Sequence, residues 1–113
     1  MAAGGSFGEF LQDQLRALGH VTVRRMFGGA GVYCDGLMFG LVSDDTLYFR
    51  VDDGNRGAFE AAGTRPFDPY GDGQHIMQYY ELPADLLEDA EALRPWIAGA
   101  LDAARAARRK KKR

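Results

Sequence analysis

The chain is poor in the residues that most often carry chemistry: it has one cysteine, Cys34, and two histidines, His20 and His75. A single thiol excludes an internal disulfide framework and any multi-cysteine zinc site. The two histidines lie far apart, and neither has a second ligand three or four residues on, so no metal-binding motif is formed and no cofactor is expected. No apolar run approaches the ~18 residues needed for a membrane-spanning helix, so no membrane partner is expected. The opening MAAGGS carries neither a basic residue nor an apolar stretch, which argues against a secretory signal and makes a cytoplasmic location the expectation. At 113 residues the chain has room for one domain with one modest core.

Positive charge is scarce everywhere except at one end. Half of the 14 Lys and Arg residues, namely Arg105, Arg108, Arg109, Lys110, Lys111, Lys112 and Arg113, fall in residues 105–113, which hold no acid. The rest of the chain has 7 basic residues against 16 acidic ones, a net charge of −9. Two readings compete for this basic tail. It is a solvated, frayed helix end, where cations suit the helix dipole, or it is a handle for a polyanion such as nucleic acid. The first needs no partner and is the simpler.

Residues 24–51, RRMFGGAGVYCDGLMFGLVSDDTLYFRV, organise the remainder. Residues 32–34 meet residues 37–42 across Asp35-Gly36, a dipeptide suited to two-residue hairpin turns because both central positions require positive φ. Residues 43–46, SDDT, supply a second polar turn, and residues 46–51 return. Period-two alternation puts Leu37, Phe39 and Leu41 on one face with Leu47, Phe49 and Val51, and puts Met38, Tyr48 and Arg50 on the other. Residues 20–27 form a preceding strand and residues 75–82 a last one, with Met77, Tyr79 and Glu81 sharing a face. Gly28, Gly29 and Gly31 are costly in a strand interior and predict a bulge or sharp turn.

Helical spacing of Phe7, Phe10, Leu11, Leu15 and Leu18 behind a Ser6/Glu9 capping box predicts a helix over residues 7–18. Asp52-Asp53 predicts the cap of a short helix over residues 55–62, anchored by Phe59 and closed by Gly63. Residues 64–74, with two prolines and two glycines, read as a loop tacked down by Phe67 and Tyr70. Residues 84–87 predict a turn and Asp89 the cap of a final helix bearing Leu93, Trp96, Ile97, Ala100, Leu101 and Ala104. Pro95 predicts a kink or a start near Arg94. The fold class is α+β: an antiparallel β-meander with N- and C-terminal helices on one face and a short helix before the last strand. The domain is residues 1–104, and residues 105–113 are the tail.

The ordered set Met26-Phe27-Gly28-Gly29-Ala30-Gly31, Gly36-Leu37-Met38-Phe39-Gly40 and Leu47-Tyr48-Phe49-Arg50-Val51-Asp52 resembles the N-terminal domain of the TfoX/Sxy family. The resemblance continues through Asn55-Arg56, Phe59, Gly63, Pro66-Phe67, Met77-x-Tyr79-Tyr80-Glu81-x-Pro83 and Leu93-x-x-Trp96, and spans roughly residues 6–104. It implies a bacterial, non-enzymatic regulatory or protein-interaction domain. Family members act with the cyclic-AMP receptor protein in activating competence genes, and fuller members carry a second domain after this one. The resemblance supplies no catalytic residues.

No catalytic constellation is visible in the residues themselves. Cys34 reads as a small structural residue, since nothing in the sequence sets a base beside it. The acidic clusters sit at turns and helix starts, where capping explains them. Three partner hypotheses remain. A protein partner, either transcription machinery or a second copy in a homodimer, is expected at the sheet face bearing Met38, Tyr48, Met77 and Tyr79. Nucleic acid is the candidate for the tail. A small anion or nucleotide is the candidate for Gly28, Gly29 and Gly31 with Arg24 or Arg25, although a strand rather than a helix follows those glycines and no P-loop signature is present.

Overall fold

The computed structural model describes residues 21–26, 29–68 and 78–111. The helix expected over residues 7–18, together with Phe27, Gly28, Tyr70, Met77, Lys112 and Arg113, lies outside them. Five strands form one antiparallel sheet in sequence order: β1 (Val21–Met26), β2 (Gly29–Cys34), β3 (Leu37–Ser43), β4 (Thr46–Arg50) and β5 (Tyr79–Glu81). A short helix, α1 (Arg56–Ala61), leaves β4, and after a 3-10 turn at Ala84–Glu88 the long helix α2 (Ala90–Lys111) closes the domain. The α+β class and the meander follow the sequence expectation.

Both expected hairpin turns form with two residues each, and in both the central pair has positive φ: Asp35 at 50° and Gly36 at 82°, then Asp44 at 51° and Asp45 at 56°. That handedness matches the right-handed twist of the flanking strands. Aspartate tolerates the left-handed region better than other side chains, which explains a turn built from two of them.

Two of the three glycines differ from expectation, and Gly28 lies outside the described residues. Gly29 and Gly31 are neither a bulge nor a turn but regular positions of β2, paired with Met26 and Arg24 on one side and with Ser43 and Leu41 on the other. Their cost in a strand is offset by close approach. A Cβ on Gly29 would collide with the backbone carbonyl of Val42, so only glycine lets the two strands meet there.

The bulge sits one strand later. Val32 pairs with Gly40 and Tyr33 with Met38, so Phe39 is the extra residue on β3. Strict alternation fails beyond it, which corrects the expected grouping of Leu41 with Phe39. From Gly40 onward the phase is reversed. Gly40 and Val42 lie opposite Phe49 and Leu47, while Leu41 lies opposite Tyr48 on the other face. Phe39 itself is fully buried against Phe49, with ring centroids 5.6 Å apart.

The core fills the face covered by α2. Val32, Phe39, Val42, Leu47, Phe49 and Val51 meet Leu93, Ile97, Ala100 and Ala104 of the helix. Phe59 joins α1 to this core through an edge-on contact with Trp96 at 4.8 Å. The cap of α1 is Asn55, not the expected aspartates, and no side chain caps its amides. Instead Asn55 ties the end of β4 to the helix start: its amide nitrogen donates to the Arg50 carbonyl at 3.0 Å and its side-chain oxygen accepts from the Asp52 amide at 2.8 Å. Asp89 does cap α2, accepting from the Ala92 amide at 3.2 Å. The helix begins at Ala90 and runs through Pro95 rather than starting near Arg94. Pro95 is exposed, and so is Glu91, whose carbonyl loses its usual helical partner to the missing amide hydrogen. Residues 65–67 cover the outer edge of β5, with the Phe67 amide donating to the Tyr79 carbonyl at 2.7 Å and the Glu81 amide to the Arg65 carbonyl at 2.9 Å. This extra pairing blunts one sheet edge.

At Gly40 a Cβ would lie 3.1 Å from the Tyr48 carbonyl oxygen and 3.3 Å from the Phe49 ring. Neither can retreat without disturbing the bulge, so Gly40→Ala is expected to destabilise the domain by about 1–3 kcal/mol, read from the midpoint of urea unfolding.

Candidate functional site

The face of the sheet turned away from α2 holds the polar and aromatic side chains. Two rows cross it. One contains Thr22, Tyr33 and Met38, and continues past the bulge to the Arg50–Tyr79 pair. The other contains Arg24, Gly31, Leu41, Tyr48 and Glu81. The phase reversal at Phe39 is what brings Leu41 into the second row beside Tyr48.

Two arginines on this face each stand over a tyrosine ring. The Arg24 guanidinium carbon is 5.7 Å from the centroid of Tyr33, and that of Arg50 is 5.5 Å from the centroid of Tyr79, both within cation–π range. Phe67 packs on Tyr48 at 4.8 Å, so the segment after α1 contributes to the same surface. The face is not uniformly open: Tyr79 is 6 % and Leu41 7 % exposed, whereas Met38 and Tyr48 are half-buried and Arg24 is exposed. Of the residues expected to form an interface, Met38 and Tyr48 therefore remain accessible, and Tyr79 supports Arg50 from beneath. Met77 lies outside the described residues.

Arg24 and Arg25 are separated by strand geometry. Arg24 lies opposite Gly31 on this face, and Arg25 lies opposite Ala30 on the other. Since β2 is paired on both sides, the backbone of Gly29 and Gly31 is committed to the ladder rather than to a cradle for an anion. Cys34 is half-buried and packs against the core from the end of β2. Among the described residues, no three His, Cys, Asp or Glu side chains converge closely enough to hold a metal ion.

At the basic end the helical form extends past the point where the apolar stripe stops. The helix continues to Lys111, beyond Ala104, its last buried residue. Arg105 reaches back to Asp102 at 3.3 Å, and Arg108 and Arg109 are exposed.

Sequence reasoning placed Arg50 on this face but gave it no role. The signal was a lone cation inside an apolar and aromatic strand, Leu47-Tyr48-Phe49-Arg50-Val51. The tyrosines also differ from solvated phenols. Burial pushes Tyr79 above the usual 10.0, with the Arg50 charge and hydrogen bond working against it. Tyr48 is raised by burial first, then by Glu81 and Asp44. A raised folded-state pKa means that the folded chain holds these protons longer than the unfolded chain. Their contribution is intact below about pH 10 and is lost as pH rises through the folded values. Tyr79→Phe is therefore expected to lose less stability than the parent between about pH 9 and pH 11, as followed by urea unfolding at each pH.

Among curated proteins, no sequence matches this chain. The TfoX N-terminal domain family matches residues 13–104, a span that takes in all five strands, α1 and α2 up to its last buried residue. With the match covering most of its length, the chain belongs to the TfoX N-terminal domain family.

Proposed function

We propose that this domain is a non-enzymatic regulatory module acting in bacterial transcription, and that it works by binding a protein partner through the sheet face opposite α2. The observation that carries this reading is the composition of that face. Arg24, Met38 and Tyr48 are accessible, and the aromatic residues Tyr33 and Phe67 lie beside them. Arginine, tyrosine and methionine are the residue types enriched at protein interfaces. Membership of the TfoX N-terminal domain family supports a regulatory role. The partner is a component of the transcription machinery or a second copy of the chain.

The tail carries a second reading. Because α2 stays helical to Lys111, Arg105, Arg108 and Arg109 are carried on a helix past its last buried residue. A polyanion meeting this end gains several phosphate contacts at once, with no base-specific readout. The net charge of −9 on the rest of the chain restricts such contacts to the helix end.

The two readings separate in one set of experiments. Met38→Glu is expected to abolish binding of a co-purifying transcription protein, or self-association measured by light scattering, while leaving the thermal transition within a few degrees of the parent. Binding that is indifferent to Met38→Glu contradicts the first reading. DNA binding followed by fluorescence anisotropy is expected to weaken steeply with salt, by a log–log slope of up to about 0.9 per phosphate contacted, and to vanish when residues 105–113 are removed. DNA binding retained by residues 1–104 contradicts the second.

A further inference from the structure

The two outermost strands of the sheet are finished differently. At β5, residues 65–67 add a further pairing, with Pro66 bridged to Tyr80 and backbone bonds on either side of that bridge. β1 is the other outermost strand, six residues long against three in β5. From Thr22 to Arg25 no described segment pairs with its outer side. Thr22, Arg24 and Arg25 are exposed, so solvent reaches this stretch. Such an edge accepts another strand with little rearrangement, the backbone supplying hydrogen bonds and the side chains the selectivity. Here the selecting side chains are a pair of cations. Arg24 stands on the face opposite α2, over Tyr33, and Arg25 on the other face. Their neighbours on β2, Gly31 and Ala30, offer neither bulk nor a counter-charge.

We propose that the outer edge of β1 receives an extended acidic segment of a partner protein as an added strand. Opposite charges across a ladder stabilise it and like charges weaken it. Pairing two copies of β1 edge to edge would bring two Arg24-Arg25 pairs to one seam, which disfavours a second copy of this strand as the occupant. A segment with two adjacent carboxylates fits instead. Neighbouring residues of a strand point to opposite faces, so one carboxylate lies against Arg24 and the next against Arg25. Beyond them, Thr22 and the half-buried Val23 suit β-branched neighbours. The edge is a separate site from the face that carries Met38, and this inference holds whether or not that face binds a partner.

The test follows the backbone amides of Thr22, Val23, Arg24 and Arg25 by NMR in the full chain. The probe is a short end-blocked peptide of two adjacent glutamates flanked by valine and threonine, with a lysine peptide of the same pattern for comparison. The glutamate peptide is expected to give saturable shifts along β1, and the lysine peptide none. Each glutamate is then N-methylated singly. In an added strand only one of two neighbouring amides points at β1, so one methylation is expected to weaken binding about tenfold and the other to leave it nearly unchanged. The double variant Arg24→Glu, Arg25→Glu is expected to lose the glutamate peptide and to bind the lysine peptide. The absence of saturable shifts at β1 overturns the inference. So do equal binding of the two peptides, equal effects of the two methylations, or shifts centred on Met38 and Tyr48.

Discussion

A single extra residue on β3 determines what each face of this sheet is made of. With Phe39 inserted between the Val32–Gly40 and Tyr33–Met38 pairs, both Phe39 and the position after it belong to the core side. Two adjacent residues cannot both place large side chains there. Gly40 resolves the conflict by having none, and the Phe49 ring and Val32 close over the space. Fully burying aromatic rings such as Phe39 and Phe49 contributes roughly 1.5–3 kcal/mol each, so the bulge is held by the core it helps to build. Downstream, Val42 stays in the core and Leu41 is turned to the face that carries the tyrosines and arginines.

That face combines apolar support with cations in a way the core face does not. Leu41 and Tyr79 are buried, Met38 and Tyr48 are partly accessible, and Arg24 and Arg50 each rest on a tyrosine. Stacking on an aromatic ring holds a guanidinium without neutralising it. The surface therefore keeps positive charge available on a chain whose body is strongly acidic. The end of α2 keeps positive charge available by another route, extending Arg108 and Arg109 past the last buried alanine.

Much of the architecture was legible because it rests on local chemistry. Asp35-Gly36 and Asp44-Asp45 declared their turns, Asp89 declared the start of α2, and Leu93, Ile97, Ala100 and Ala104 declared its buried stripe. What was not legible depends on contacts between distant residues. The bulge at Phe39 leaves no local mark, since LMFGLV alternates acceptably in either phase, and only the packing of Phe49 and Val32 against Gly40 selects one. The same limit applies to Gly29 and Gly31, whose need for glycine comes from the neighbouring strand rather than from a turn. Arg50 was visible as a misplaced cation, but its seat over the buried Tyr79 ring emerges only when the fold is complete. Helix propensity in an Ala- and Arg-rich run carried α2 past residue 104, where the end of the apolar stripe suggested fraying.

The phase of β3 beyond Phe39 is the central structural claim, because it decides which residues form the candidate site. Proton–proton contacts of the Leu41 methyl groups in solution test it most directly. The account predicts contacts from these methyls to the Tyr48 ring and none to Ile97 or Ala100 of α2. Contacts from Leu41 to Ile97 or Ala100 would contradict it, returning Leu41 to the core face and dissolving the row of side chains built around it.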